Sequence, residues 1–339
     1  MAVIVGIPAE VKDGERRVGL GPEEVHRLTH GGHEVRVERG AGLGVGIADA
    51  RYVEAGARLA DRAAAWSSEL IVKVKELQDE ELERLPVRRT LFGFQHLPRE
   101  PGRTRALVAR EATAIAFEMV RDARGGFPLL APMSVIAGRM AIDVAREHMA
   151  VPLRNVVVLG AGNAGLAAAQ AAAECGARVT VLRRASATPR AVENAVLESD
   201  LVIGAVFVPG APTPRLLPRS LVRRMRPGSM IVDISIDAGG VAETSRPTTH
   251  AQPTFVEEGV IHYAVANMPA ARPAEAAAAL WSAALPFVEE MARKGIAAAV
   301  RDNEALRAGV LLWRGRVCHA GIAAEAGVAH AALTSEDLS

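Results

Sequence analysis

The hexapeptide Gly160-Ala161-Gly162-Asn163-Ala164-Gly165 has the composition of a phosphate cradle. Gly160 permits a tight turn, Gly162 lets the backbone approach a pyrophosphate, and Gly165 lets a helix pack closely on the preceding strand. A helix opening at Asn163 and Ala164 would aim its free N–H groups and the positive end of its dipole at the anion. The context agrees. An apolar strand, residues 155–159 (NVVVL), comes first; an Ala-rich helical run to Cys175 and a second strand, residues 177–182 (ARVTVL), follow. Strand, glycines, helix and strand in that order are what a dinucleotide site requires. At the end of the second strand an NAD site usually carries Asp or Glu for the ribose hydroxyls. This chain has Arg183-Arg184, and two cations there suit a 2′-phosphate, so NADP is the expected cofactor and NAD the alternative. The same pair also reads as a solvated loop.

A second set of polar residues lies where packing alone would not put them. Glu15-Arg16-Arg17 precedes Val18, Lys73-Val74-Lys75-Glu76 closes an apolar run, and His96 follows Phe92-Gly93-Phe94-Gln95. Asp233 and Asp237 end residues 230–236, and Asn267 ends residues 261–266. In a parallel α/β sheet, sites form at the carboxyl ends of strands. Plainer readings stand beside this one: Lys75 as a solvated strand end, His96 as a strand cap, Asp237 as a turn aspartate before Gly239-Gly240. His250 and His262 read as structural. His26, His30 and His33 have no matching carboxylate or cysteine set, so no metal site is expected. Cys318-His319 is a nucleophile and base by adjacency only, and neighbouring side chains diverge.

These residues need strands and helices to aim them. Strands are expected at 3–7, 34–38, 69–74, 90–94 and 113–117, and helices at 22–30, 52–57, 60–66 and 79–84. A glycine-rich turn is expected at 40–46. A long helix over 133–149 leads to the unit that begins at Asn155, which continues through strands at 201–206, 229–234 and 262–266 and a helix at 218–225. Strands alternating with helices imply parallel sheets covered on both faces. The expected fold is α/β with two doubly wound parallel-sheet domains: residues 1–130 with 273–339 as the substrate domain, and 131–272 as the Rossmann domain. The helix-rich tail returning to the first domain would leave an interdomain cleft for ligands.

Bulk properties narrow the class. The 339 residues are 50% hydrophobic and 23% charged, which fits a globular chain. A net charge of +1 gives no field for nucleic acid or an anionic membrane. Two cysteines without CxxC spacing argue against a disulfide framework and for a reducing compartment. With no signal peptide or apolar span in view, a cytoplasmic protein without nucleic-acid or membrane partners is expected.

Taken together, the chain resembles the bacterial L-alanine dehydrogenases and the wider family that includes the dinucleotide-binding subunit of proton-translocating transhydrogenase. The resemblance runs through residues 15–22 (ERRVGLGP), 73–76 (KVKE), 94–97 (FQHL), 129–139 (LLAPMSVIAGR), 200–210 (DLVIGAVFVPG), 227–237 (PGSMIVDISID), 246–250 (RPTTH) and 266–269 (ANMP). It implies that Arg17 holds the substrate carboxylate, that Lys75 lies beside the carboxylate and carbonyl oxygen, and that His96 and Asp237 are catalytic. Asn267 and Met268 would lie near substrate and nicotinamide, Met133 and Ser134 would line the cofactor cleft, and Val206 would join the cofactor-binding residues. The implied reaction is hydride transfer between a nicotinamide cofactor and a small L-amino acid, giving a 2-oxo acid and ammonia. A homo-oligomer, dimer or hexamer, is the implied assembly.

The chain also departs from the family pattern. Only residues 150–154 join the long helix to the fingerprint strand, where relatives carry a glycine-rich loop, and the stretch 183–198 is short. Arg183 replaces an acidic residue, Val135 a glutamate, and Phe117 an aromatic hydroxyl. Two other functions stand beside the first: an NADPH-dependent imine reductase acting on a bulkier or cyclic substrate, which the lost polar groups favour, and a catalytically silent cofactor-binding homologue, which the resemblance to the transhydrogenase subunit implies. The four residues Arg17, Lys75, His96 and Asp237 favour an enzyme.

Overall fold

A computed structural model describes residues 3–98, 100–208 and 212–338. The chain divides into two compact units, Met1–Pro132 with Arg272–Ser339, and Met133–Ala271.

The first unit runs β1 (Val5–Ile7), α1 (Pro22–His30), β2 (Val35–Glu38), α2 (Asp49–Glu54), β3 (Arg58–Ala60), α3 (Arg62–Trp66), β4 (Leu70–Val72), α4 (Asp79–Arg84), β5 (Thr90–Gly93), α5 (Pro101–Ala109) and β6 (Thr113–Ala116). Helix α1 starts at Pro22, whose fixed φ suits a first helical turn and whose missing N–H costs nothing there. The expected helix over 60–66 is displaced. Ala60 ends β3, and Asp61 caps α3 by accepting the Ala64 N–H at 2.8 Å. Likewise the expected helix at 52–57 lies at Asp49–Glu54.

The second unit holds α6 (Ala131–His148), β7 (Asn155–Leu159), α7 (Asn163–Glu174), β8 (Arg178–Leu182), α8 (Pro189–Leu197), β9 (Leu201–Gly204), α9 (Arg219–Val222), β10 (Met230–Asp233), β11 (Thr254–Glu257) and β12 (Val260–Tyr263). The chain then returns to the first unit as α10 (Pro273–Lys294), α11 (Ile296–Asp302), α12 (Glu304–Gly309), β13 (Val310–Trp313), β14 (Arg316–Val317) and α13 (Ala320–Ala326).

The two sheets have the orders β14-β13-β6-β5-β4-β1-β2-β3 and β11-β12-β10-β9-β7-β8. Each interior is parallel, as buried apolar runs such as Leu70–Val72 and Leu201–Gly204 require. The edges depart from the all-parallel expectation: β13 and β14 in the first sheet and β11 in the second are antiparallel. Each sheet has one switch point, where successive crossovers go to opposite sides: between β1 and β4 in the first, between β7 and β9 in the second. Ligands bind at such points. Among the described residues no helix is long and apolar enough to cross a membrane.

Candidate active site

In the first unit the candidate residues follow the carboxyl ends of adjacent strands β1, β4 and β5. Arg17 lies on the long loop after β1 and is 1% exposed. The Glu15 carboxylate grips it: Oε1 accepts the Arg17 Nε–H at 2.7 Å and Oε2 accepts an Nη2–H at 2.5 Å. Burial works against the Glu15 charge, but the bonds and charge of Arg17 outweigh it and hold the carboxyl below its ordinary range. The loop is pinned from both sides. Trp281 donates its indole N–H to the Val18 carbonyl at 2.7 Å, and the Tyr52 hydroxyl donates to the Leu20 carbonyl at 3.1 Å. Gly19 is obligatory there, since a Cβ would come within 2.2 Å of the Val72 carbonyl oxygen.

Lys75 follows β4 and is buried. Burial, and then the Arg17 guanidinium, push its ammonium pKa down; Glu76 and Glu15 oppose this, and Lys12 adds to it. Glu76 pairs with Lys12. Burial opposes the Glu76 charge, yet Lys12 and the nearby His96 bring its pKa to about 2. His96 follows β5 with a left-handed φ of 46°, held by its own N–H donating to Glu118 at 2.7 Å. Its ring stacks on Phe94 at 5.7 Å and 3°, and the Lys75 Nζ lies 6.0 Å from the same Phe94 ring. Arg17, Lys75 and His96 thus share one neighbourhood, so Lys75 is not a solvated strand end. The His96 side chain is 49% exposed.

In the second unit the fingerprint has the geometry its glycines imply. Gly160 takes φ 107°, and a Cβ there would meet the Ala205 carbonyl oxygen at 2.3 Å, across the β7–β9 switch point. A Cβ on Gly165 would lie 1.9 Å from the Gly160 carbonyl oxygen, whereas one on Gly162 would meet nothing within 4 Å. Gly162 therefore faces open space at the N-terminus of α7, which fits a pyrophosphate. Asn163 and Ala164 form its first turn. Helix α6 presses on this turn: a Cβ on Gly138 would stand 2.1 Å from the Ala164 carbonyl oxygen. Ser134, four residues earlier, shares the Gly138 face, and Met133 is buried beside it.

Arg183 and Arg184 follow β8 and are exposed. The Ser186 hydroxyl accepts the Arg183 N–H at 2.9 Å and shapes the turn, and neither guanidinium has a partner among the described residues. Val206 follows β9, Asp237 lies exposed in the turn after β10, and Asn267 follows β12 with φ 57°, with Met268 buried next to it. Apart from Met133 and Ser134 on α6, the candidates of this unit follow the carboxyl ends of β7, β8, β9, β10 and β12.

Several residues carry no sequence signal. The Glu10 carboxylate accepts the Val74 N–H at 2.6 Å and pairs with the buried Lys73 at 3.0 Å; Glu81 pairs with Lys73 at 3.0 Å. Glu118 sets the turn at His96. The Ser235 hydroxyl accepts the Val206 N–H at 2.8 Å and donates to its carbonyl at 2.9 Å. Asp233 is buried and structural, accepting from Val241 N–H at 2.8 Å and the Ser245 hydroxyl at 2.6 Å. His262 is structural too: it bonds Thr244 at 2.8 Å and the Val260 carbonyl at 3.0 Å, and burial lowers its pKa. Burial also raises the Cys318 thiol pKa, the reverse of what a nucleophile needs.

Two family profiles together match most of the chain. Family profiles described as "Alanine dehydrogenase/PNT, N-terminal domain" and "Alanine dehydrogenase/PNT, C-terminal domain" match residues 6–137 and 182–320. An "FAD binding domain" profile matches residues 155–194, the strand, turn and helix that dinucleotide folds share. An alanine dehydrogenase of Halomonas elongata is 41% identical, covering 98% of this chain and 99% of its own. The chain belongs to the alanine dehydrogenase/PNT family. A solved L-alanine dehydrogenase superposes with a TM-score of 0.89 at 37% identity, over 95% of this chain and 98% of its own. A Sinorhizobium meliloti transhydrogenase gives 0.84 at 26%, over 93% and 99%. The alignment to the Halomonas family member spans 366 positions, more than the 339 residues here, so that relative carries residues this chain lacks.

Proposed function

We propose that this chain is an amino-acid dehydrogenase of the alanine dehydrogenase type, interconverting a small L-amino acid with a 2-oxo acid and ammonia, and that it prefers NADP. Alanine and pyruvate are the first pair to test, since the similar proteins carry that name. The observation that carries the reading is the arrangement of Arg17, oriented by Glu15, with the buried Lys75 and the half-exposed His96 at the carboxyl ends of adjacent strands: two oriented cations and an imidazole suit a substrate that carries a carboxylate and exchanges a proton. NADP preference rests on the guanidiniums of Arg183 and Arg184, exposed at the end of β8 and without a partner among the described residues; the open face of Gly162 suits the pyrophosphate of either cofactor.

When bound, the nicotinamide supplies the hydride donor or acceptor. The protein's own residues handle charge and protons. Arg17, oriented by Glu15, binds the carboxylate. Lys75 donates to the carbonyl oxygen, and its lowered pKa brings proton exchange closer to neutral pH. His96 gives and takes the proton of the carbonyl or amine. Asp237 serves as base for water addition to the iminium, and Asn267 orients the substrate. The first unit is thus the substrate domain and the second the nucleotide domain; the working form is a homo-oligomer, dimer or hexamer, which light scattering measures.

An absorbance assay tests the reading, with NADPH and NADH each offered ammonium and a panel of 2-oxo acids, and cyclic imines in parallel. Turnover of pyruvate with ammonium, faster with NADPH, is expected. Turnover of cyclic imines alone would make it an imine reductase. Nucleotide binding with no turnover of any substrate would make it a silent homologue.

A further inference from the structure

The polar groups around β4 include one whose role no step of the proposed reaction uses. Glu10 lies just past β1, beside the switch point between β1 and β4, with its side chain 1% exposed. Its carboxylate bonds backbone as well as a cation. Oε1 accepts the Val74 N–H at 2.6 Å, both oxygens lie 3.3–3.4 Å from the Lys75 N–H, and Oε2 receives the Lys73 ammonium at 3.0 Å. On the β1 side the ladder ends at the Gly6–Ile71 pair and these bonds take its place, while on the β5 side the Lys73 N–H still donates to the Phe92 carbonyl at 3.2 Å and the Phe94 N–H to the Val74 carbonyl at 3.0 Å. Within three residues the chain must bury Lys73 against Glu10 and Glu81 and present Lys75 beside Arg17.

We propose that Glu10 is a positioning residue for Lys75: it fixes the 73–75 backbone so that the Lys75 ammonium is held beside Arg17. Lys73 serves this arrangement by setting its ammonium against the carboxylate; burial outweighs it and leaves the Glu10 pKa raised, whereas Glu10 and Glu81 outweigh the burial of Lys73 and keep the lysine protonated. Glu81 belongs to the same ion-pair network but bonds Lys73 and the Gln78 N–H, not the 74–75 backbone. The two glutamates therefore separate stability from positioning.

The inference rests on Lys75 being the substrate-facing cation, and the test includes a readout that needs no turnover. Competitive acetylation of Lys75, followed by mass spectrometry across pH, reads the state of its amine. The charges around that amine are Arg17, Glu15, Glu76 and Lys12. In Glu10→Gln the released segment lets water reach Lys75 and moves it away from Arg17, so its titration midpoint rises toward that of an ordinary lysine. With pyruvate and ammonium, kcat falls by about ten- to a hundredfold, the scale of a small misplacement of a reacting group. Glu81→Gln loses comparable thermal stability yet keeps the wild-type Lys75 midpoint. Glu10→Asp, which retains the charge, recovers part of the shift. An unmoved midpoint in a folded Glu10→Gln, or equal shifts in Glu10→Gln and Glu81→Gln, overturns the inference. A moved midpoint in a protein inactive toward every substrate upholds the positioning and removes the dehydrogenase reading instead.

Discussion

Arg17 and Glu15, two residues apart, are locked by parallel N–H to carboxylate bonds of 2.7 and 2.5 Å, with both side chains only 1% exposed. The fork is oriented before any substrate arrives, so binding need not order it. A planar guanidinium is required for this, because an ammonium cannot make two parallel bonds.

Arg17→Lys therefore raises the KM for a carboxylate substrate by about ten- to a hundredfold, the loss of one charged hydrogen bond of about 1.5–3 kcal/mol, with a smaller effect on kcat. Arg17→Ala also leaves Glu15 buried without its cation, at about 3–5 kcal/mol of stability. Steady-state kinetics and urea unfolding measure the two effects. An unchanged KM in Arg17→Lys would place the carboxylate elsewhere.

His96 has a left-handed backbone, which asparagine tolerates better than most residues. His96→Asn thus removes the imidazole with little strain. Turnover drops by roughly two to four powers of ten while nucleotide affinity, read by fluorescence titration, stays at the wild-type level. Near-normal turnover removes His96 from the chemistry.

Arg183→Asp removes a cation at the end of β8 and offers a carboxylate to ribose hydroxyls. The ratio of kcat/KM for NADPH over NADH falls and reverses. A ratio that holds or grows in the variant shows that the 2′-phosphate is not bound there.

Glu76 has a folded-state pKa of about 2, below the roughly 4.3 of an unfolded glutamate. A depressed acid pKa contributes stability above the unfolded value and loses it as pH falls toward the folded one. Unfolding free energy should therefore decline between about pH 4.3 and about 2, and Glu76→Gln should show less of that decline. Urea titrations at stepped pH give both slopes, and identical slopes would mean Glu76 makes no such contribution.

The sequence made the long-range plan legible where one element announces itself. Pro22 marks α1, the run NVVVL marks β7, and the glycines at 160, 162 and 165 state the spacing that the close approaches then require. Edges were less legible. Strands β3, β13 and β14 are two to four residues long, too short for a periodic signal, and β11 runs antiparallel at an edge. Helix α5 carries no signal in the sequence: it buries only Thr104 and Leu107, so PGRTRALVA shows no apolar stripe. Arg17, Lys75 and His96 stood out by type and setting. Glu10 did not: its partner Lys73 is 63 residues away, and nothing local marks one glutamate as the acceptor of another strand's backbone.

Strand β13 lies antiparallel on β6, yet the two are separated in sequence by the whole second unit. A ribosome therefore delivers the segment with the glycine turn in full before the last strands of the first sheet exist. Any pairing of β1 to β6 within that interval leaves the β6 edge bare, a surface open to wrong pairing. Order of synthesis thus makes the carboxyl-terminal segment the piece that seals its host.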